Sequence, residues 1–361
     1  MKDTKAAPFH IPSLDGLRAV SFLLVFVAHA GMEDRVPGGF GVTVFFFLSG
    51  YLITTLMRME QEERGTVSLK AFYLRRALRI LPPFYLVLIA ATIGTAVGIL
   101  PGSVKASAVE ALALHWGNYW IITHGYDGPP SGTGVYWSLA VEEHFYLVFP
   151  VLFIALGRKL KARSRQAMVL YALCGLVLAW RCWLVYGLHV PMDRTYMGSD
   201  TRVDSILFGC ALAVYGNPMI DGPSRFPEAA WKWVLVPLAL VVLLLTFVLR
   251  GPGFRETLRY TIQGAALTSI FVAAIRYPRW LLFRPLNMRV ASFLGTLSYS
   301  LYLVHYALIG VVQARVPVNP VVQGVLALGA SIGVSWAIYR LVEKPCAKLR
   351  RRLSRVEPAP A

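Results

Sequence analysis

Ten apolar stretches divide this sequence, and most are long enough to cross a lipid bilayer as a helix, which takes about 20 residues. They lie near residues 17–35, 40–57, 82–100, 137–156, 166–187, 203–215, 232–249, 259–275, 292–311 and 321–341. The chain is 56% hydrophobic and only 15% charged, too apolar for an ordinary water-exposed surface. The sequence therefore predicts an all-α, polytopic membrane bundle of about ten transmembrane helices. We expect residues 1–361 to form one domain, with a short frayed basic tail from about residue 344.

The distribution of basic residues predicts how the bundle is oriented. A net charge of +17 is also typical of nucleic-acid binding, but here Lys and Arg lie between apolar spans instead of along one stripe. Alternate loops carry most of them: Arg58, Arg64, Lys70, Arg75, Arg76, Arg79, then Arg158, Lys159, Lys161, Arg163, Arg165, then Arg276, Arg279, Arg284, Arg289, with a basic tail. The positive-inside rule then places these loops and both termini in the cytoplasm. We expect no nucleic-acid partner.

The cysteines do not indicate a disulfide framework or a metal site. Cys174, Cys182, Cys210 and Cys346 lie in or beside apolar spans and lack CxxC or Cys/His spacing. No other ligand cluster is visible, so we expect no bound metal.

Ionisable groups inside membrane spans are costly and are therefore candidates for chemistry. His29 follows Arg18 by eleven residues, which returns to nearly the same helix face roughly 16 Å further along the axis. Arg76 and Arg79, three residues apart, share a helix face and could bind phosphates. Structural explanations stay open: Arg18, Arg76 and Arg79 as topology-setting charges, and His29 as a hydrogen-bonded bundle histidine.

The fourth span opens with a polar helix face. Ser138, Glu142 and Tyr146 are spaced i, i+4, i+8, whereas Glu143 is expected to point off that face. A carboxylate beside an imidazole fixes its tautomer and raises its basicity, so Glu142 is our candidate partner for His29. A helix N-cap explains Ser138 equally well.

Two further polar groups have alternative explanations. Arg202 and Asp204 open the sixth span, either as anchor and cap or as acceptor-binding groups at the outer surface. Ser300 precedes His305 by five residues and so does not share its face, and His305 is also explained as structural.

At these residues the chain resembles the acyltransferase 3 family of bacterial membrane acyltransferases. The matching blocks are Ile11 to Arg18 with His29, Gly41 to Ile53, Arg75 to Pro82, Trp137 to Leu139 with Glu142, Thr201 to Asp204, Ser300 with His305, and Glu343 to Pro345. Their order covers nearly the whole chain. One departure is Thr43, where many members carry an acid.

The resemblance implies an acyl-CoA donor entering from the cytoplasm and an acceptor commonly on the far side of the membrane. The family's Arg and His eleven residues apart fall on Arg18 and His29, and its Arg-x-x-Arg motif falls on Arg76 and Arg79. Family members acylate O-antigens, peptidoglycan, exopolysaccharides, nodulation oligosaccharides and macrolides. The other matching residues are expected to support the site or bind substrate: Trp137, Ser138, Arg202, Asp204, Ser300 and His305.

The resulting hypothesis is an O-acyltransferase of the bacterial cytoplasmic membrane. CoA phosphates bind Arg18, Arg76 and Arg79, and His29, oriented by Glu142, acts as general base on a hydroxyl of a carbohydrate-containing acceptor, a cell-surface glycan or a glycosylated metabolite. A route through an acyl-histidine fits the same residues. We expect acetyl-CoA as co-substrate and no permanently bound cofactor. The alternative from another class is a transporter or flippase that leaves its substrate unmodified.

Overall fold

The computed structural model describes residues 12–356, and within this range the chain is helical without a β-strand. Six of the α-helices adjoin a short π-helical turn. The α-helices are α1 Pro12–Val27, α2 Gly38–Arg64, α3 Leu69–Ala96, α4 Ala106–Ala113, α5 Gly117–His124, α6 Trp137–Lys159, α7 Arg163–Cys182, α8 Met192–Met197, α9 Ser199–Val214, α10 Glu228–Ala230, α11 Val236–Val248, α12 Pro252–Glu256, α13 Leu258–Arg276, α14 Arg289–Arg315, α15 Pro320–Ile338 and α16 Lys344–Val356. Ile11 of the first family block lies outside the described residues.

Nine helical segments between residues 12 and 356 are long and apolar enough to cross a membrane. They confirm nine of the predicted spans: Ser13–Met32, Gly38–Arg64, Leu69–Ala96, Gly134–Lys159, Arg163–Gly187, Glu228–Val248, Leu258–Arg276, Arg289–Arg315 and Pro320–Leu353. The third begins 13 residues earlier than its apolar stretch, so Arg75, Arg76 and Arg79 lie inside a helix and not before it. The segment between the third and fourth spans contains only the short helices α4 and α5.

The remaining predicted span is α9, which has 16 residues and is therefore roughly 24 Å long. Its start is tied to the short helices α5 and α8 at one end of the bundle, where Asp200 accepts hydrogen bonds from Tyr119 and Arg194. The loop that follows it is tied to the other end, where Asp221 pairs with Arg58 near the end of α2. This helix therefore also runs from one end of the bundle to the other.

Close approach of backbones holds α9 in the centre of the bundle. A Cβ atom on Gly50 of α2 would lie 2.0 Å from the backbone oxygen of Ile206, and one on Gly209 would lie 2.0 Å from that of Phe47. Nearly every residue from Thr201 to Val214 is buried. Glycines at helix crossings allow this contact, so Gly50 and Gly209 are packing residues.

The two ends of the described chain lie at the same end of the bundle. Asp15 near the start of α1 and Arg350 on α16 line one cavity. With α9 counted beside the nine candidate spans, ten helices of the described range run along the bundle, an even number that agrees with this arrangement. The expectation of a frayed tail from about residue 344 is wrong for Lys344–Val356, which are helical because α16 packs against α3. Residues 357–361 lie outside the described range.

Candidate functional site

A cavity of about 570 Å³ opens between α1, α2, α3, α6, α14 and α16. This volume is within the range of pockets that bind small molecules, roughly 300–1,000 Å³. Its walls combine apolar side chains with an unusual number of charged ones. Five of the eleven site residues selected from the sequence line it, namely Arg18, Arg76, Arg79, Ser138 and Glu142.

The three arginines of the family motifs, Arg18, Arg76 and Arg79, all line this cavity. Arg18 donates a hydrogen bond of 2.8 Å to Asp15, and the guanidinium of Arg76 lies 5.0 Å from the ring centroid of Tyr146. Arg79 has no ion-pair partner among the described side chains. The fold thus brings arginines from two helices, α1 and α3, to one cavity.

Sequence reasoning missed Arg350, whose side chain joins the same wall from α16. Its signal was present in the basic tail, but that run of charges was interpreted only as a determinant of topology. Arg75 also lines the cavity, and it is paired with Glu60 at 2.7 Å. Arg350 has no such pair within the described part of the chain. Unneutralised guanidinium groups facing one space favour an anion with several oxygens, such as a phosphate.

The acidic side of the cavity comes from α6. Ser138, Glu142 and Tyr146 line it together, as their spacing predicted. Glu143 lines it as well, so the expectation that it points elsewhere is wrong; the cavity extends far enough around the start of α6 to include two adjacent positions. Ser49 of α2, also missed, hydrogen-bonds Tyr146 and lines the cavity together with Glu142. Glu142 faces Arg76 in electrostatic contact across this space.

His29 lies at the end of the first span, in the π-helical turn Ala28–Met32. Its Nδ1 atom is 3.0 Å from Nε2 of His305 on α14, and Nδ1 of His305 is 2.9 Å from the backbone oxygen of Tyr302. The expected pairing of His29 with Glu142 is therefore wrong. α1 packs its His29 face against α14, whereas Glu142 projects from α6 toward the arginines.

Tyr302 connects the histidine pair to the cavity. It lines the cavity together with Ser138, and their hydroxyl groups share a hydrogen bond of 2.7 Å. His305 follows Tyr302 by one helical turn, with ring centroids 5.5 Å apart. The N-cap explanation for Ser138 is wrong, because α6 begins after Tyr136 without a side-chain cap. His29 and His305 thus lie just behind the cavity wall formed by Ser138 and Tyr302.

Arg202 and Trp137 meet in a buried cluster beside this wall. The Arg202 side chain is fully buried. Its guanidinium carbon lies 3.9 Å from the ring centroid of Tyr260 and 5.9 Å from that of Trp137. The guanidinium also donates a hydrogen bond of 3.1 Å to the hydroxyl of Thr43. Arg202 is therefore not an outer-surface residue, contrary to either explanation of it as an anchor or an acceptor-binding group. Thr43, the departure from the family pattern, contacts it directly.

Asp204 is neither a helix cap nor exposed. Its carboxylate accepts two hydrogen bonds from Arg181 of α7, at 2.9 and 2.8 Å, and one of 2.9 Å from Thr261 of α13. Both charged side chains are fully buried. This pair ties three helices together, so the acceptor-binding explanation for Asp204 is replaced by a structural one.

Ser300 and Glu343 belong to separate family blocks and are brought together. The hydroxyl of Ser300 donates a hydrogen bond to the Glu343 carboxylate, which joins α14 to the turn after α15. Ser300 is fully buried and does not line the cavity. Within residues 12–356, no three His, Cys, Asp or Glu side chains are grouped so that they could hold a metal ion.

Comparison with known proteins gives relatives of one kind. The Listeria monocytogenes protein named peptidoglycan O-acetyltransferase OatA is 29% identical over 372 residues, which cover 96% of this chain and 57% of the relative. A Bacillus subtilis protein, provisionally named peptidoglycan O-acetyltransferase YrhL, is 31% identical over 356 residues, covering 93% of this chain and 55% of the relative. This chain therefore spans a little over half the length of these relatives. No solved structure matches it.

The family comparison agrees with these relatives and with the helices. Residues 11–340 match the family model Acyl_transf_3, described as an acyltransferase domain. Arg350 lies beyond the matched range. With nine candidate spans among its described residues, the chain is a multi-pass membrane protein, and it belongs to the Acyl_transf_3 family of acyltransferase domains.

Proposed function

We propose that this protein is a membrane O-acyltransferase that moves an acetyl group from acetyl-CoA to a hydroxyl of a cell-wall glycan of the peptidoglycan type. The observation that carries the proposal is the convergence of Arg18, Arg76, Arg79 and Arg350 on one cavity that is also lined by Tyr302, whose backbone oxygen is hydrogen-bonded by the histidine pair. The names of the relatives from Listeria and Bacillus support the acceptor class.

The arginine wall is suited to the nucleotide end of the donor. Its guanidinium groups provide N–H donors in a planar arrangement that matches phosphate oxygens. With the basic loops in the cytoplasm, the cavity would open to the compartment that contains acyl-CoA. Glu142 and Glu143 line the same cavity. The neutral, narrow arm of the donor can continue toward Tyr302.

His29 is proposed as the base. The acceptor hydroxyl gives its proton to the imidazole as its oxygen bonds to the thioester carbonyl carbon. The carbon–sulfur bond then breaks, and the CoA sulfur leaves with the proton returned by the imidazolium. An acyl-histidine route would use the same side chain as the nucleophile. In both routes Glu142 acts within the cavity, where it faces Arg76, and not on His29.

The test uses purified protein in nanodiscs, which make both faces accessible to acetyl-CoA carrying a labelled acetyl group and to a soluble peptidoglycan fragment. Mass spectrometry should detect one added acetyl mass, lost on mild base treatment. His29→Ala should reduce the rate by at least roughly 10²-fold, the usual contribution of a general base. His124→Ala, which changes an exposed histidine on α5, is the matched control.

Two outcomes would contradict the proposal. Equal rates for His29→Ala and His124→Ala would remove the catalytic role of His29. In sealed liposomes, movement of the glycan across the bilayer without any gain in mass would instead support transport.

A further inference from the structure

Two histidines from distant parts of the chain form a hydrogen-bonded series that ends on a backbone carbonyl. The series runs from His29 Nδ1 to His305 Nε2 at 3.0 Å, and from His305 Nδ1 to the Tyr302 oxygen at 2.9 Å. In a neutral imidazole one nitrogen donates and the other accepts. Which nitrogen carries the proton therefore follows from the fixed end of the series.

The fixed end is the Tyr302 carbonyl, which can only accept a hydrogen bond. Nδ1 of His305 must therefore carry a proton. The His305 side chain is fully buried among aromatic rings, with the Phe22 ring centroid at 5.7 Å and that of Phe26 at 6.4 Å. No ion pair joins it to an acid among the described side chains, and a buried unpaired charge is costly. His305 is then neutral, and its Nε2 is an acceptor.

An accepting Nε2 on His305 requires that Nδ1 of His29 is the donor. The ring geometry agrees with this. The planes of the two rings are inclined by only 14°, and the ring centroids are 5.3 Å apart. The bonded nitrogens are 3.0 Å apart, so the distance between the centroids is longer by about one ring diameter. The rings therefore lie side by side in nearly one plane. This is the arrangement in which the in-plane lone pair of His305 points at the His29 proton.

We propose that His305 is a positioning residue that fixes His29 as the Nδ1–H tautomer and leaves its Nε2 atom as the bare, reactive nitrogen. This inference rests on the proposed function of His29. An orienting partner that sets the tautomer of a catalytic histidine has the same role as the carboxylate of a catalytic triad. Here a neutral imidazole, itself oriented by the Tyr302 backbone, replaces the carboxylate.

The same arrangement supports either chemical route. Nε2 of His29 takes the hydroxyl proton in the general-base route and attacks the thioester carbonyl in the acyl-histidine route. In both cases the ring becomes cationic for a time, and its Nδ1–H continues to donate to His305, which stabilises that charge. The ring of Tyr306, 4.7 Å from that of His29 between centroids, restricts rotation of His29 from another side.

The first experiment reads the tautomer directly, without any reaction. Full-length protein labelled with ¹⁵N-histidine is reconstituted in lipid and studied by solid-state NMR, and the His29 signals are assigned by their loss in His29→Ala. The expected result is a protonated Nδ1 and a bare Nε2 on His29, with hydrogen-bond coupling between His29 Nδ1 and His305 Nε2. A proton on Nε2 of His29, or an imidazolium at His305, would overturn the inference even if the protein acetylates glycans.

The second experiment separates positioning from packing. Gln at position 305 keeps an acceptor oxygen near the place of Nε2, whereas Leu fills similar space without one. We expect His305→Leu to lower kcat by roughly 10- to 100-fold with less than about 2-fold change in the KM for acetyl-CoA. His305→Gln should recover most of that loss. Equal loss in both variants, at equal thermal stability, would contradict the positioning role.

The two proposals fail in different ways. If His29→Ala keeps full activity, the proposed role of His29 falls, but the NMR result still reports whether His305 sets its tautomer. If His29→Ala is inactive and His305→Leu is fully active, the catalytic role of His29 stands and the positioning role of His305 falls.

Discussion

Replacing Asp204 by Asn should destabilise the bundle strongly while leaving substrate binding intact. Asp204 and Arg181 are both fully buried, with paired atoms at 2.9 and 2.8 Å. Removing one partner of a buried pair costs about 3–5 kcal/mol, because the other charge stays buried and unpaired. Arg181 would keep its bonds to the Thr201 oxygen and to Thr261, so we expect about 3 kcal/mol. That is roughly a 10²-fold shift in the folding equilibrium.

Thermal unfolding in nanodiscs, followed by the near-UV signal, would measure this loss. The matched control is Asp200→Asn on the same helix, because Asp200 is 35% exposed and its pair with Arg194 should contribute less than about 1 kcal/mol. The double variant Arg181→Met with Asp204→Leu should recover most of the stability, since it leaves no buried charge. Below its Tm, Asp204→Asn should show an unchanged KM for the glycan. Unchanged stability with a raised KM would refute this reasoning and restore Asp204 as an acceptor-binding residue.

Three further predictions concern the cavity and its supports. Arg350→Ala should raise the KM for acetyl-CoA in steady-state assays by roughly 5- to 30-fold, because a partly exposed charged hydrogen bond contributes about 1–2 kcal/mol to binding. Arg352 is exposed on the same helix, so Arg352→Ala should leave this KM unchanged. Gly209→Leu should abolish monodisperse protein in size-exclusion chromatography, because a Cβ there already meets a backbone oxygen of α2 at 2.0 Å. Thr43→Asp should raise the Tm, since it supplies a carboxylate to buried Arg202, and Thr43→Val should lower it.

Hydropathy predicted nearly all of the fold because every span meets the same physical requirement. A helix that crosses the hydrocarbon core must form all its backbone hydrogen bonds within itself and present apolar side chains to the lipid. Both requirements can be recognised from a short stretch of sequence. Only the spacing of Arg76 and Arg79 indicated a helix at the start of α3. Hydropathy alone missed these extra turns, because charged residues at a helix end interrupt the apolar run without ending the helix. The shape of the basic tail was missed for the same reason.

The sequence predicted part of the composition of the cavity, but not how its residues pair. Spacing along a helix shows which residues share a face, as for Ser138, Glu142 and Tyr146. It does not show which helix lies opposite that face. His29 and His305 are 276 residues apart, and their contact depends on α1 packing against α14. Glu142 was the wrong partner for this reason, although it does lie in the cavity.

The placement of the cavity relative to the histidines bears on how a donor and an acceptor from opposite sides could meet. Arg350 and Asp15 line the cavity near the chain ends, and Tyr302 lines it one helical turn from His305. His29 lies eleven residues beyond Arg18, roughly 16 Å along α1. A donor held by its phosphates at the arginines would therefore need a long, thin, uncharged arm to bring its thioester to His29. The arm of acyl-CoA meets this requirement, and a compact phosphorylated donor such as acetyl phosphate does not, so the same protein should accept acetyl-CoA and reject acetyl phosphate.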